Sequence, residues 1–204
     1  MTPRTKESFE KIRNKKKALI LDAALELFAN EGYHVTSVSK IAKVAGISKG
    51  LVYNYFDSKE ELLKTLVFTT MKELLDMIDP NKDGVMTDEE FVYMIEMNFR
   101  WLESNSDFLK LYFAMMLQPT VLKVVEVKLM ELAVPVFKVI SDYFESKGCE
   151  NPMIEARYLN SLLDGINMNY VIDPMSMDLN AMKQKVLLQY VSYYNSNNNN
   201  SLLK

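Results

Sequence analysis

Apolar residues return every three or four positions along most of this chain, which is the spacing of helices with one buried face, and they predict nine of them. Ile20, Ala24, Leu27 and Phe28 line a first helix over about 8–31, with Gly32 as its stop. Val38, Ile41, Ala42 and Ala45 stand at i, i+3, i+4 and i+7 and predict a short second helix capped by Thr36. Gly46 ends it where positive φ costs least, and Ser48 can cap a third helix at once. Ser58 and Glu61 form a capping box that opens a fourth helix, carried to about Ile78 by Leu62, Leu66, Val67, Met71, Leu74 and Leu75. Thr87 and Glu90 form a second capping box, opening a fifth helix to about Glu103. Ser106 starts the sixth, and Pro119 separates it from a long seventh that Pro135 is expected to kink. The turn GCENP at 148–152 precedes helix eight, over about 152–172; Asp173 and Pro174 divide it from helix nine, over about 178–195. The tail SNNNNS is of low complexity and is expected to be disordered.

Residues 36–62, TSVSKIAKVAGISKGLVYNYFDSKEEL, thus hold two short helices, a tight turn and the start of a third helix. A second short helix crossing the first after so brief a turn is the helix-turn-helix arrangement, which places the N-terminal end of its second helix in a DNA major groove. The residues at that end suit the task. Lys49 is a long cation, Gly50 lets backbone approach DNA, and Tyr53, Asn54 and Tyr55 offer hydroxyl and amide groups to phosphates or base edges. Thr36 and Lys59 flank this surface, while Leu51, Val52 and Phe56 anchor the reading helix from behind. Any one of these polar residues alone would be an ordinary solvated side chain; the ordered set favours DNA binding.

The pattern T-x-x-x-I-A-x-x-A-G-I-S-x-G-x-x-Y-x-Y-F-x-S-K-E-E-L resembles the DNA-binding signature of TetR-family transcriptional regulators. The resemblance covers about residues 14–75, including the lead-in AALELFANEGYHVTSV, and beyond that extends only to layout. It implies that Thr36, Ser48, Lys49, Gly50, Tyr53, Asn54, Tyr55 and Lys59 stand at positions the family uses against DNA. Leu51 departs from the Thr that many members carry, which puts a base contact from that position in question.

With 204 residues, 49% of them hydrophobic and only 6 Gly and 6 Pro, the chain can bury a sizeable, mostly helical core in one or two domains. The formal net charge of −3 argues against a simple basic nucleic-acid binder, but it is unevenly divided. Residues 1–65 hold 12 basic and 8 acidic residues, net +4; residues 66–204 hold 12 and 19, net −7. A basic head on an acidic body is implied, with domains at 1–60, 61–195 and a tail at 196–204. Arg4, Lys6, Lys11, Arg13, Lys15, Lys16 and Lys17 suggest a flexible basic arm over 1–17 reaching toward phosphate, with a solubilising tail as the competing account. One cysteine, Cys149, allows neither an intrachain disulfide nor a multi-cysteine zinc site. No apolar run reaches membrane-span length and the start has no apolar signal core, so a cytoplasmic protein without membrane partners is expected.

Helices eight and nine carry wide apolar faces, including Tyr158, Leu162, Ile166, Val186 and Tyr190, with few later elements to cover them. A self-complementary homodimer interface is expected there. The resemblance implies the same, since family members usually dimerise through a four-helix bundle of these two helices from each subunit. Helices five to seven are apolar on more than one face; Met94, Met97, Trp101, Phe108, Tyr112, Met115 and Met116 read first as core. Adaptable methionines, 14 in this chain, also suit a pocket for a small hydrophobic effector, which family layout favours.

Two motifs compete. GISKG at 46–50 fits the G-x-S-x-G nucleophile elbow, but a helix precedes it and the only histidine, His34, comes before it, so no catalytic residue is assigned and no enzyme is expected. DPNKDGVMTDEE at 79–90 matches an EF-hand loop, with Asp79, Asn81, Asp83, Thr87 and Glu90 as oxygen ligands and Gly84 at the sharp turn. The same residues are ordinary turn formers, and no second loop is present to pair with it. The expectation is an all-α dimeric repressor that grips a palindromic double-stranded DNA operator and releases it when an effector enters the body, with no cofactor or metal assigned. The alternative is a calcium-responsive helical sensor.

Overall fold

Helix α1 covers Lys6–Asn30 in the computed structural model, which describes residues 6–192. Arg4 and the tail 196–204 lie outside the described residues. The expected arm is therefore corrected from Lys6 onward: the segment has no Gly or Pro and is rich in Lys, Glu and Arg, so it continues as the first turns of α1. Helices α2 (Val38–Val44) and α3 (Lys49–Tyr53) follow, then α4 (Lys59–Asp76), α5 (Asp88–Ser104), α6 (Ser106–Met116), α7 (Pro119–Ser146), α8 (Pro152–Ile172) and α9 (Leu179–Leu187). Helix α9 stops short of its expected end, passing at Leu188–Ser192 into a π-helical stretch. Helix α7 runs through Pro135 without a break. The fold is all-α, and no strand occurs among the described residues.

The chain packs as two units. One holds the residues through Thr69 with Leu111–Glu126; the other holds Thr70–Lys110 with Val127 onward. The boundary lies inside α4, later than residue 60, and the end of α6 and start of α7 join the head. In the first unit the expected stripes are inside: Ile20, Ala24, Phe28, Ile41, Val52, Phe56, Leu62 and Val67 are buried, together with Met115, Val121 and Val125. The second unit is built on an aromatic core. Phe91 of α5 stacks on Tyr143 of α7 at 4.6 Å between ring centres, with Phe144 at 5.7 Å and Tyr190 at 6.0 Å.

That core corrects three of the expected dimer residues. Ile166, Val186 and Tyr190 are buried within it, alongside Ile140, Leu159 and Leu163, so they pack inside their own chain. Leu162 packs partly against the same core. The apolar residues that α8 and the end of α9 leave outside are Met153, Ile154, Tyr158, Ile172 and Leu188.

Candidate nucleic-acid interface

The reading helix is set by local bonds. Ser37, not Thr36, caps α2: its side chain accepts from Lys40 N at 3.2 Å. Gly46, at φ 65°, donates to Lys43 O, and Ile47 N donates to Ala42 O, the double bond of a Schellman stop. Ser48 then accepts from Leu51 N at 3.1 Å and caps α3. Val52 and Phe56 bury the inner side of this segment, so Lys49, Gly50, Tyr53 and Asn54 point outward together. Lys49 Nζ lies 5.8 Å from the Tyr53 ring centre. Tyr55 is half-buried, with the Arg13 guanidinium 6.0 Å from its ring centre, and Lys17 lies similarly over Phe56.

A Cβ built on Gly50 would meet nothing within 4 Å. The fold itself does not demand glycine there, and helix propensity argues against it. The missing side chain leaves room for close approach of an external backbone.

Two expected contact residues are occupied in the fold. Thr36 is buried, its hydroxyl donating to Gly32 O at 2.8 Å and reaching Leu27 O at 3.4 Å. Lys59 Nζ donates to the carbonyls of Tyr33, His34 and Thr36 at 2.8, 3.0 and 2.9 Å and sits 4.6 Å from the Tyr33 ring centre. Partial burial lowers its pKa. Both side chains hold the loop that feeds α2. What the sequence reading passed over is Lys43, exposed in the last turn of α2 and in no ion pair among the described residues, and Arg13 and Lys17, which the notion of an arm had detached from the reading helix. Helical spacing of α1 could have shown the last two, since Arg13, Lys17 and Ile20 share one face.

The expected effector residues divide between the units. Met94, Met97, Trp101 and Phe108 fall in the second, with Trp101 edge-on to Phe108 at 6.1 Å; Tyr112, Met115 and Met116 fall in the first. Burial pushes the Tyr112 phenol up to about 12. A groove of about 240 Å³ in the second unit is lined instead by Glu96, Phe99, Arg100, Glu103, Leu179, Asn180 and Lys183, none of them among the seven.

The loop at 79–90 uses most of its side-chain oxygens internally, while Asp79 Oδ1 is buried without a hydrogen-bond partner. Asp79 accepts from Gly84 N at 3.0 Å, Asn81 from Asp83 N at 3.0 Å and Asp83 from Val85 N at 2.8 Å. Thr87 and Glu90 complete the capping box of α5. Among the described residues no three His, Cys, Asp or Glu side chains group to hold a metal ion. Turn and cap bonds engage Asn81, Asp83, Thr87, Glu90 and one oxygen of Asp79.

Residues 20–66 match the family model of bacterial regulatory proteins of the tetR family. Over 87 residues the chain is 36% identical to the fatty acid metabolism regulator protein of Bacillus subtilis, covering 42% of this chain and 45% of that one. Over 52 residues it is 54% identical to the HTH-type transcriptional regulator YuxN of the same organism, covering 26% of this chain and 18% of that one. The chain thus spans less than half the length of these curated relatives. The solved structure of the fatty acid degradation regulator FadR from Bacillus halodurans superposes over 85% of this chain and 94% of its own, with TM-score 0.67 and 26% identity. With residues 20–66 matching the family model and the helical fold superposing on the FadR structure, the chain carries a TetR-family helix-turn-helix head on an all-α TetR-like fold.

Proposed function

We propose that this protein is a transcriptional repressor of the cytoplasm that binds a palindromic double-stranded DNA operator as a homodimer and is released by a small hydrophobic effector. The observation that carries the DNA reading is the outward set Lys49, Gly50, Tyr53 and Asn54 on a helix whose inner side is buried. A homodimer is supported by the apolar stripe of Ile154, Tyr158 and Ile172 on α8 with Leu188 beyond α9, which nothing in the described chain covers. Two-fold symmetry of such a dimer requires two inverted half-sites, spaced by about one DNA turn or a multiple. Relatives concerned with fatty acid metabolism or degradation favour a long-chain acyl effector, and Met94 and Met97 of α5 supply adaptable apolar side chains for it.

Selection of duplexes from a random pool by the full chain, repeated with and without oleate, tests both parts. Enrichment of an inverted repeat whose binding oleate weakens is expected. No enriched sequence would overturn the DNA reading, and an enriched repeat indifferent to oleate and to saturated long-chain acids would overturn the acyl effector alone.

A further inference from the structure

Resting on the DNA-binding reading, we propose that Gln118 is the residue that positions the reading head, by locking the end of α1 to the corner between α6 and α7. The last carbonyls of a helix have no partner inside it and need one from elsewhere. In α1, Leu27 O is taken by Glu31 N and the Thr36 hydroxyl, whereas Phe28 O is taken by Gln118 Nε2 at 2.6 Å, from 90 residues further along the chain. The other end of the same amide, Oε1, accepts from Tyr33 N at 2.9 Å. Two bonds from one planar group to points on either side of the α1 terminus restrict rotation as well as distance.

Gln118 is itself rigidly placed. Its backbone N–H closes the end of α6 on Met115 O, and its carbonyl accepts from Val121 N and Leu122 N to open α7, with Met115, Val121 and Val125 buried beside it. On the loop it grips, Lys59 holds the carbonyls of Tyr33, His34 and Thr36. Segment 31–37, from which α2 and α3 continue, is therefore held by Lys59 of α4 and by Gln118 of the α6–α7 corner, both within the first unit. Helix α6 begins at Ser106 and α7 ends at Ser146, and the corner between them, where Gln118 sits, packs in the same unit as the reading helix. The amide is neutral, and salt does not weaken the link.

The test uses the full-length chain with Gln118→Leu, which removes both bonds at similar size, and Gln118→Glu, which keeps an acceptor for Tyr33 N and loses the donor to Phe28 O. Affinity is measured for the selected operator and for versions with half-site spacing changed by one and two base pairs. Wild type is expected to prefer its own spacing by tenfold or more, and Gln118→Leu to reduce that preference to about twofold, with Gln118→Glu between them. A merely stabilising residue would lower all affinities by one factor and leave the preference intact, which would overturn the proposal. Hydrogen exchange at the Tyr33 amide, in protein without DNA, gives a second readout. At least tenfold faster exchange in Gln118→Leu is expected, and unchanged protection overturns the clamp even if wild type selects no duplex, an outcome that would separately defeat the DNA reading.

Discussion

Gly50 is where stability and the proposed DNA contact can be tested apart, at a single atom. Because its added Cβ meets nothing, Gly50→Ala should raise the stability of the head by up to about 0.5–1 kcal/mol through lower unfolded-state entropy and better helix propensity. The same methyl should weaken operator binding, seen as opposite shifts in denaturant unfolding and in DNA titration; a variant that gains stability and keeps full affinity would remove Gly50 from the interface. The two lysines assigned to the DNA surface at sequence level, Lys49 and Lys59, should also part company. Lys49→Ala should cost roughly 1–3 kcal/mol of specific DNA binding if Lys49 reads a base, with unfolding unchanged. Lys59→Ala should cost about 1–2 kcal/mol of head stability, since three carbonyls lose their charged donor at a partly buried site. In the body, Asp88 accepts from Lys147 and from the Tyr143 hydroxyl at 3.0 Å, and the Lys147 hydrogen bond above all holds its carboxyl below the ordinary carboxylate range. A depressed acid stabilises the fold above its unfolded-state value of about 3.9, and that contribution is lost as pH falls through the folded value. Asp88 is more than half exposed, so Asp88→Asn should cost only about 0.5–1 kcal/mol at neutral pH. The difference from wild type should close in acid; a deficit that persists there points to lost packing and not to the ion pair.

At the scale of elements, α8 is the helix whose two sides do different work. Ala156, Leu159, Leu163 and Ile166 build the core, and Ile154, Tyr158 and Ile172 remain outside. Both stripes are apolar, and their buried or exposed status comes from α5, α7 and α9 packing on one side only. A charged residue at a fully buried site leaves an unpaired charge in an apolar core, so Val186→Glu should unfold the body, at a cost above about 3 kcal/mol. Ile154→Glu with Tyr158→Glu should instead leave a folded monomer. Light scattering beside circular dichroism distinguishes them, and a dimer that survives both surface changes places the interface on another face. Helix α3 illustrates the opposite economy. Five residues are too few to persist alone, and the Schellman stop at Gly46, the Ser48 cap and buried Val52 together hold it in place.

For the whole molecule, charge is arranged by region more than by total. The net charge is −3, yet Lys43, Lys49, Arg13 and Lys17 gather around the reading helix, two of them brought there by α1. Operator affinity should therefore fall steeply with salt, and Lys43→Ala should reduce the slope of log K against log salt by about 1 if it neutralises one phosphate. An unchanged slope would place Lys43 off the DNA.

Local chemistry alone determined much of this protein. Caps, glycine stops and apolar spacing act within a few residues, so the nine α-helices among the described residues, the tight turn and the outward Lys49, Gly50, Tyr53 and Asn54 were legible without any fold, as was the turn chemistry of residues 79–90. The tertiary structure decided the roles that depend on distant partners. Thr36 and Lys59 match a DNA-contact pattern but are taken by carbonyls of the α1–α2 loop. Which stripe of α8 is core follows from helices far away in sequence, because periodicity marks a buried face without naming its neighbour. Gln118 carried no sequence signal at all. Its meaning arises only when folding carries it across 85 residues to the amide of Tyr33.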